Sequence, residues 1–110
     1  MKGILINPFN RTLTEIIIGE ALEDVYQAIT NDNANPVRCI ERVQLAQGQD
    51  LWLDEEGTFK PLQKKFAIIV LGFRKFTGCA ILLGSNAEGD SWGDTIIKAE
   101  HLMPSMIWEK

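Results

Sequence analysis

The residues able to do chemistry are few. His101 is the one histidine of the chain, so it is the one side chain whose ordinary titration range suits a base near neutral pH. Glu100 beside it points elsewhere if the segment is regular, and a catalytic histidine needs partners that the sequence does not supply. His101 therefore reads as a surface histidine near a C-terminal turn. Cys39 and Cys79 lie among apolar neighbours, where a thiol is usually inert packing. The carboxylates Asp50, Asp54, Glu55 and Glu56 could hold a hard cation, but Ca²⁺ takes roughly six or more oxygens and this is not the spacing of an EF-hand loop. A solvated turn is the simpler reading, and the same holds for Glu88, Asp90 and Asp94. One histidine and no C-x-x-C pair argue against zinc. The phosphate loop, the dinucleotide fingerprint, the nucleophile elbow and H-E-x-x-H are all missing. The expectation is no catalytic residue, no metal and no cofactor. The rival is a metal-assisted hydrolase built on Glu55, Glu56 and His101.

Charge is more informative. Residues 60–75 hold Lys60, Lys64, Lys65, Arg74 and Lys75, five of the 11 basic residues, and no acid. Acid-rich stretches flank them at Asp50–Glu56 and Glu88–Asp94. If residues 66–73 form a buried strand, the basic groups gather at its two ends. They could make an anion-binding edge for a nucleotide, a phosphate backbone or an acidic protein face. Edge protection is the simpler reading, since lysines beside very apolar strands suppress aggregation without any ligand.

Two tryptophans are oddly placed. Strand alternation in Asp50-Leu51-Trp52-Leu53-Asp54 puts both leucines on one face and Trp52 between two aspartates on the other. With the leucines in the core, Trp52 is at least partly outside. Trp92 sits in the polar loop Glu88–Asp94. Tryptophan is enriched at interface hot spots, and it also folds back as a lid on a core.

These residues must be carried by regular elements. Ile4-Leu5-Ile6 marks a short buried strand, Asn7–Asn10 a turn, and residues 12–18 a second strand of a hairpin. Glu20–Thr30 has Leu22, Val25, Tyr26 and Ile29 at helical spacing, with its acids toward the N-terminus. Val37–Leu45 alternates as a strand with a bulge in view, and Asp50–Asp54 returns. Residues 66–73 and 78–84 are nearly all apolar, which predicts two buried strands joined through residues 74–77. Thr95–Ala99 reads as a last strand. His101–Met103 reads as a turn of helix stopped by Pro104, with Met106–Trp108 extended. The order predicts an α+β fold: a mostly antiparallel sheet of about five to seven short strands, open to mixed pairing through one parallel neighbour, with one main amphipathic helix.

The totals bound the rest. The chain has 110 residues, 45% hydrophobic and 24% charged, which predicts a single domain over 1–110. A net charge of −4 argues against a nucleic-acid binder. No apolar run approaches the ~20 residues that cross a bilayer. Residues 1–10 are interrupted too soon by Asn7 and Pro8 for a signal peptide. Two cysteines without a disulfide pattern fit a reduced, cytoplasmic setting.

A succession of short motifs resembles a known family. It runs through Lys2-Gly3-Ile4-Leu5-Ile6-Asn7-Pro8, Leu22-Glu23-Asp24-Val25-Tyr26 and Cys39-Ile40-Glu41-Arg42-Val43-Gln44-Leu45. It continues with Leu51-Trp52-Leu53-Asp54-Glu55-Glu56-Gly57 and Gly78-Cys79-Ala80-Ile81-Leu82-Leu83-Gly84. This order resembles small uncharacterised proteins of bacteriophages and mobile elements that share a domain of unknown function. The chain departs from that pattern at residues 62–76. The resemblance implies action inside a bacterial host and carries over no catalytic residue. The expected function is a non-enzymatic binding protein, such as a counter-defence factor, whose partner is a host protein or itself as a homo-oligomer. That version depends on Trp52 or Trp92. The alternative sequesters a small anionic, nucleotide-like ligand through Lys64, Lys65, Arg74 and Lys75.

Overall fold

The computed structural model describes residues 1–19, 21–30, 36–45, 48–57, 60, 63–69, 74–85, 92–95 and 97–109. Among them lie nine strands: β1 (Lys2–Asn7), β2 (Thr12–Ile17), β3 (Ile40–Gln44), β4 (Gln49–Asp54), β5 (Lys65–Ile68), β6 (Lys75–Thr77), β7 (Ala80–Ser85), β8 (Trp92–Gly93) and β9 (Met106–Trp108). Two helices accompany them, α1 (Leu22–Ile29) and α2 (Ala99–Leu102), the latter followed by a 3-10 turn over Met103–Ser105. The fold is α+β with antiparallel pairing throughout the described strands. The parallel neighbour left open by the sequence does not occur among them.

The strands divide into two sheets, where one was expected. The larger has six strands in the order β2-β1-β7-β4-β3, with β8 beside the end of β7; the smaller has the order β6-β5-β9. One face of the large sheet presents Ile4, Ile6, Val43, Leu51, Leu53, Ala80 and Leu82 to Phe66, Ile68 and Phe76 of the small sheet, with Leu102 of α2 in the same cluster. The opposite face carries Cys79, Ile81 and Leu83 against Val25 and Ile29 of α1. The large sheet is therefore the middle of three layers. Its central strand β7 is covered on both sides, and Ala80, Ile81, Leu82 and Leu83 are each 0% exposed. A strand covered on both faces needs no polar alternation, which explains its unbroken apolar sequence.

The first hairpin is as the sequence predicts, with Asn7 paired to Thr12 across the turn. Asn7 Oδ1 accepts from Phe9 N at 2.9 Å and from Asn10 N at 3.2 Å, an Asx turn that supplies the reversal. Helix α1 occupies eight residues of the predicted 20–30 span. Asp24 Oδ2 accepts Ala21 N at its start. At its end, Thr30 Oγ1 donates to Tyr26 O and accepts Val37 N. That hydroxyl ties the helix to the approach of β3, which begins at Ile40 rather than at Val37.

Two other expectations are corrected. Residues 74–77 are not the link between two apolar strands. Residues 75–77 form β6 itself, which pairs with β5 through Phe66↔Phe76. The chain then turns at Gly78, whose φ of 84° is costly for any residue with a Cβ, and enters the other sheet as β7. Residues 95 and 97–99 are not a strand either. Thr95 N is bonded to Lys2 O, residues 97 and 98 are irregular, and Ala99 opens α2. The predicted helical turn before Pro104 and the extended Met106–Trp108 are both found.

Candidate functional site

Antiparallel pairing of β5 with β6 brings the two halves of the basic segment together. The register sets Lys65 opposite Thr77 and Ala67 opposite Lys75, and residues paired across a ladder share a face. Lys65, Ala67, Lys75 and Thr77 therefore line one face of the small sheet. Ile107 joins them, because it pairs with Ala67 from the other side. The intervening residues Phe66, Phe76 and Trp108 point to the opposite face. There the rings of Phe66 and Phe76 lie 5.6 Å apart, and those of Phe66 and Trp108 6.4 Å apart.

The outward face holds a shallow cleft of about 190 Å³ lined by Lys65, Ala67, Lys75, Ile107, Trp108 and Glu109, with Phe66 beneath. Ala67 is only 3% exposed although the register places it on this face. Among the described residues, neither the Lys65 nor the Lys75 ammonium has an ion-pair partner. Ile107 is 42% exposed, and Ile69, just past the end of β5, is 51% exposed.

The remaining basic residues of the segment are engaged elsewhere. Lys60 pairs with Asp54 and donates to Pro36 O. Arg74 lies 3.8 Å from Glu41, with its guanidinium 5.5 Å from the centre of the Phe76 ring. Lys64 is half-buried, and its carbonyl accepts Gly78 N. Of the four basic residues singled out for anion binding, two converge on the cleft.

The acidic stretch differs from the expected solvated turn. Asp50 is fully buried. Arg42 meets its Oδ2 through both Nε and a terminal nitrogen at 2.7 Å, and Asp50 Oδ1 is buried without a hydrogen bond. Asp54 is half-buried against Lys60 and also accepts Glu56 N, while Glu55 and Glu56 are exposed. Trp52 is half-buried on the α1 side of the large sheet, with Arg42 5.7 Å from its ring centre. It lies on the opposite side of the large sheet from the small sheet and its cleft. Trp92 belongs to β8; its side chain, and Glu88 and Asp90, lie outside the described residues.

His101 is exposed on α2, and Glu100 reaches it at 3.8 Å instead of pointing away. Among the described residues no three His, Cys, Asp or Glu side chains come together as a metal site would require. Burial pushes the Cys79 thiol up to about 11, whereas Cys39 is exposed. Both cysteines are free thiols. No helix among the described residues is long and apolar enough to cross a membrane.

A second cleft, of about 370 Å³, lies between the starts of β1 and α2 and is lined by Lys2, Ile4, Glu15, Asp94, Thr95 and Lys98. Its carboxylates act as latches: Asp94 Oδ1 accepts Lys2 N, and Glu15 Oε2 accepts Ala99 N. Asp94 is thus a fastener, a role its place in a polar loop did not suggest.

Sequence reading missed Ala67 and Ile107 as members of the basic face. One signal was available. Lys65-Phe66 and Lys75-Phe76 are the same dipeptide, which is the pattern expected of two paired strands with phenylalanine inward and lysine outward. Comparison of the chain with protein-family models, with curated proteins and with solved structures finds no match.

Proposed function

We propose that this is a non-enzymatic binding protein whose working surface is the outer face of the small sheet, and that its partner is a protein presenting carboxylates. The observation that carries this reading is the placing of Lys65 and Lys75, neither with an ion-pair partner among the described residues, around the Ala67–Ile107 floor. An apolar centre with a charged rim suits a protein interface. Size favours the protein version over the nucleotide version. Small-molecule sites are usually ~300–1,000 Å³, and about 190 Å³ is too little for a nucleotide but enough for side chains arriving at a shallow surface. The larger cleft does not favour an anion, because Glu15 and Asp94 offset Lys2 and Lys98. The resemblance to phage and mobile-element proteins points to a bacterial host protein as the partner class, with counter-defence as its setting.

Carbodiimide chemistry tests this, since it joins a carboxylate to an amine only where they touch. In bacterial extract, the expected cross-linked peptides contain Lys65 or Lys75, and the Lys65→Gln/Lys75→Gln variant loses the product. Cross-links spread evenly over all lysines, or unchanged in the variant, would overturn the reading.

A further inference from the structure

Strand β2 is the outer strand of the large sheet. Which of its backbone groups are used follows from one rung. Met1 N donates to Ile18 O at 2.6 Å, and Ile18 N donates to Met1 O at 2.8 Å. In an antiparallel ladder bonded and non-bonded pairs alternate, so Gly3–Ile16, Leu5–Thr14 and Asn7–Thr12 are the next bonded rungs in the observed register. Leu13, Glu15 and Ile17 therefore turn their N–H and C=O groups outward along the open edge.

Exposed edges are normally blunted by lysine, proline, a bulge or short length. The other edge strands follow that rule. β6 and β9 have three residues each, and β3 carries the Glu41–Arg74 pair. β2 does not. It has six residues, Thr12–Ile17, with no lysine or proline and an unbroken register against β1. Its one charged side chain, Glu15, is drawn toward α2 by the bond from Ala99 N at 3.1 Å. Ile17 is 81% exposed, the most of any exposed large hydrophobic residue described.

The geometry points to β2 pairing antiparallel with β2 of a second copy, about a two-fold axis through Glu15, so that two large sheets become one continuous sheet. This register uses all three outward-facing residues of each strand. It places Leu13 opposite Ile17 of the second copy, and the reverse, which covers the exposed isoleucine with an apolar neighbour. Glu15 meets its own copy at the centre, a like-charge opposition that weakens the pair. The strand is self-complementary in its outward-facing backbone groups, and a second copy satisfies an isologous contact of this kind. The surface is separate from the Lys65–Lys75 face, so either proposal can fail alone.

Sedimentation of the full chain over a wide concentration range, with amide hydrogen exchange, tests the pairing. The expected result is a reversible monomer–dimer equilibrium in which the Leu13, Glu15 and Ile17 amides gain protection as concentration rises. Ile17→Lys should weaken the dimer at least ~10-fold by adding an edge lysine, and Glu15→Gln should tighten it about threefold by removing the opposed charges. Lys65→Gln should leave it unchanged. A monomer at every concentration would overturn the proposal, as would a dimer in which those three amides exchange freely or Ile17→Lys has no effect.

Discussion

Asp50 and Arg42 show how much a single side chain can hide from a sequence reading. Strand alternation placed Asp50 beside Trp52 on the face away from the leucines, and that placement is correct. The error lay in treating the face as solvated. Asp50 is fully buried there and relies on Arg42, two rungs along the hairpin. A buried charge left without its partner costs several kcal/mol. Arg42→Ala is therefore expected to lower stability by about 3 kcal/mol, read from the shift in urea midpoint at unchanged slope. The second residue-scale prediction concerns Cys79, which the sequence correctly marked as packing. Burial raises its thiol from 9.0 to about 11, so the unfolded thiol ionises first as pH rises. Its contribution is whole below pH 9 and is lost between 9 and 11. At ~1.4 kcal/mol per unit, the loss approaches 2–3 kcal/mol at the upper limit. Urea unfolding at alkaline pH should show this decline in the native chain and a shallower one in Cys79→Val.

At the scale of elements, local signals were legible and pairing partners were not. The first hairpin declared itself through Asn7-Pro8 between two β-rich runs. The turn of helix before Pro104 declared itself through proline's missing N–H. The strands β5, β6 and β7 were harder. An apolar run of this length carries no periodicity, so the runs 66–73 and 78–84 read as neighbours, whereas β5 and β7, the strands described within them, belong to different sheets. The small sheet carries an aromatic row of Phe66, Phe76 and Trp108, drawn from three separated segments. Phe66 sits at its centre and is 1% exposed. Phe66→Ala should lower stability by ~3–5 kcal/mol, as removal of a buried ring usually does, measured by urea unfolding. If the row organises the small sheet, amides of β6 and β9 should lose exchange protection in this variant before those of β1 and β4 do.

At the scale of the whole molecule, the outer face of the small sheet presents Lys65, Lys75 and Ile107 at the surface. The sequence located the basic segment without showing that half of it is spent within the fold. Lys60 and Arg74 meet carboxylates of the large sheet, while Lys65 and Lys75 remain directed outward. Such a division is invisible without the topology, because it depends on which strand lies opposite which. It turns a broad choice between edge protection and ligand binding into a question about two side chains and the floor between them. The most direct measurement is an amide NMR titration of the full chain with an oligoglutamate peptide, and in parallel with ATP. The account predicts that the peptide shifts resonances of Lys65, Ala67, Lys75 and Ile107, that the shifts shrink as salt screens the contact, and that ATP leaves them largely unmoved. Peptide shifts confined to other surfaces, or a response of those four residues to ATP alone, would contradict it.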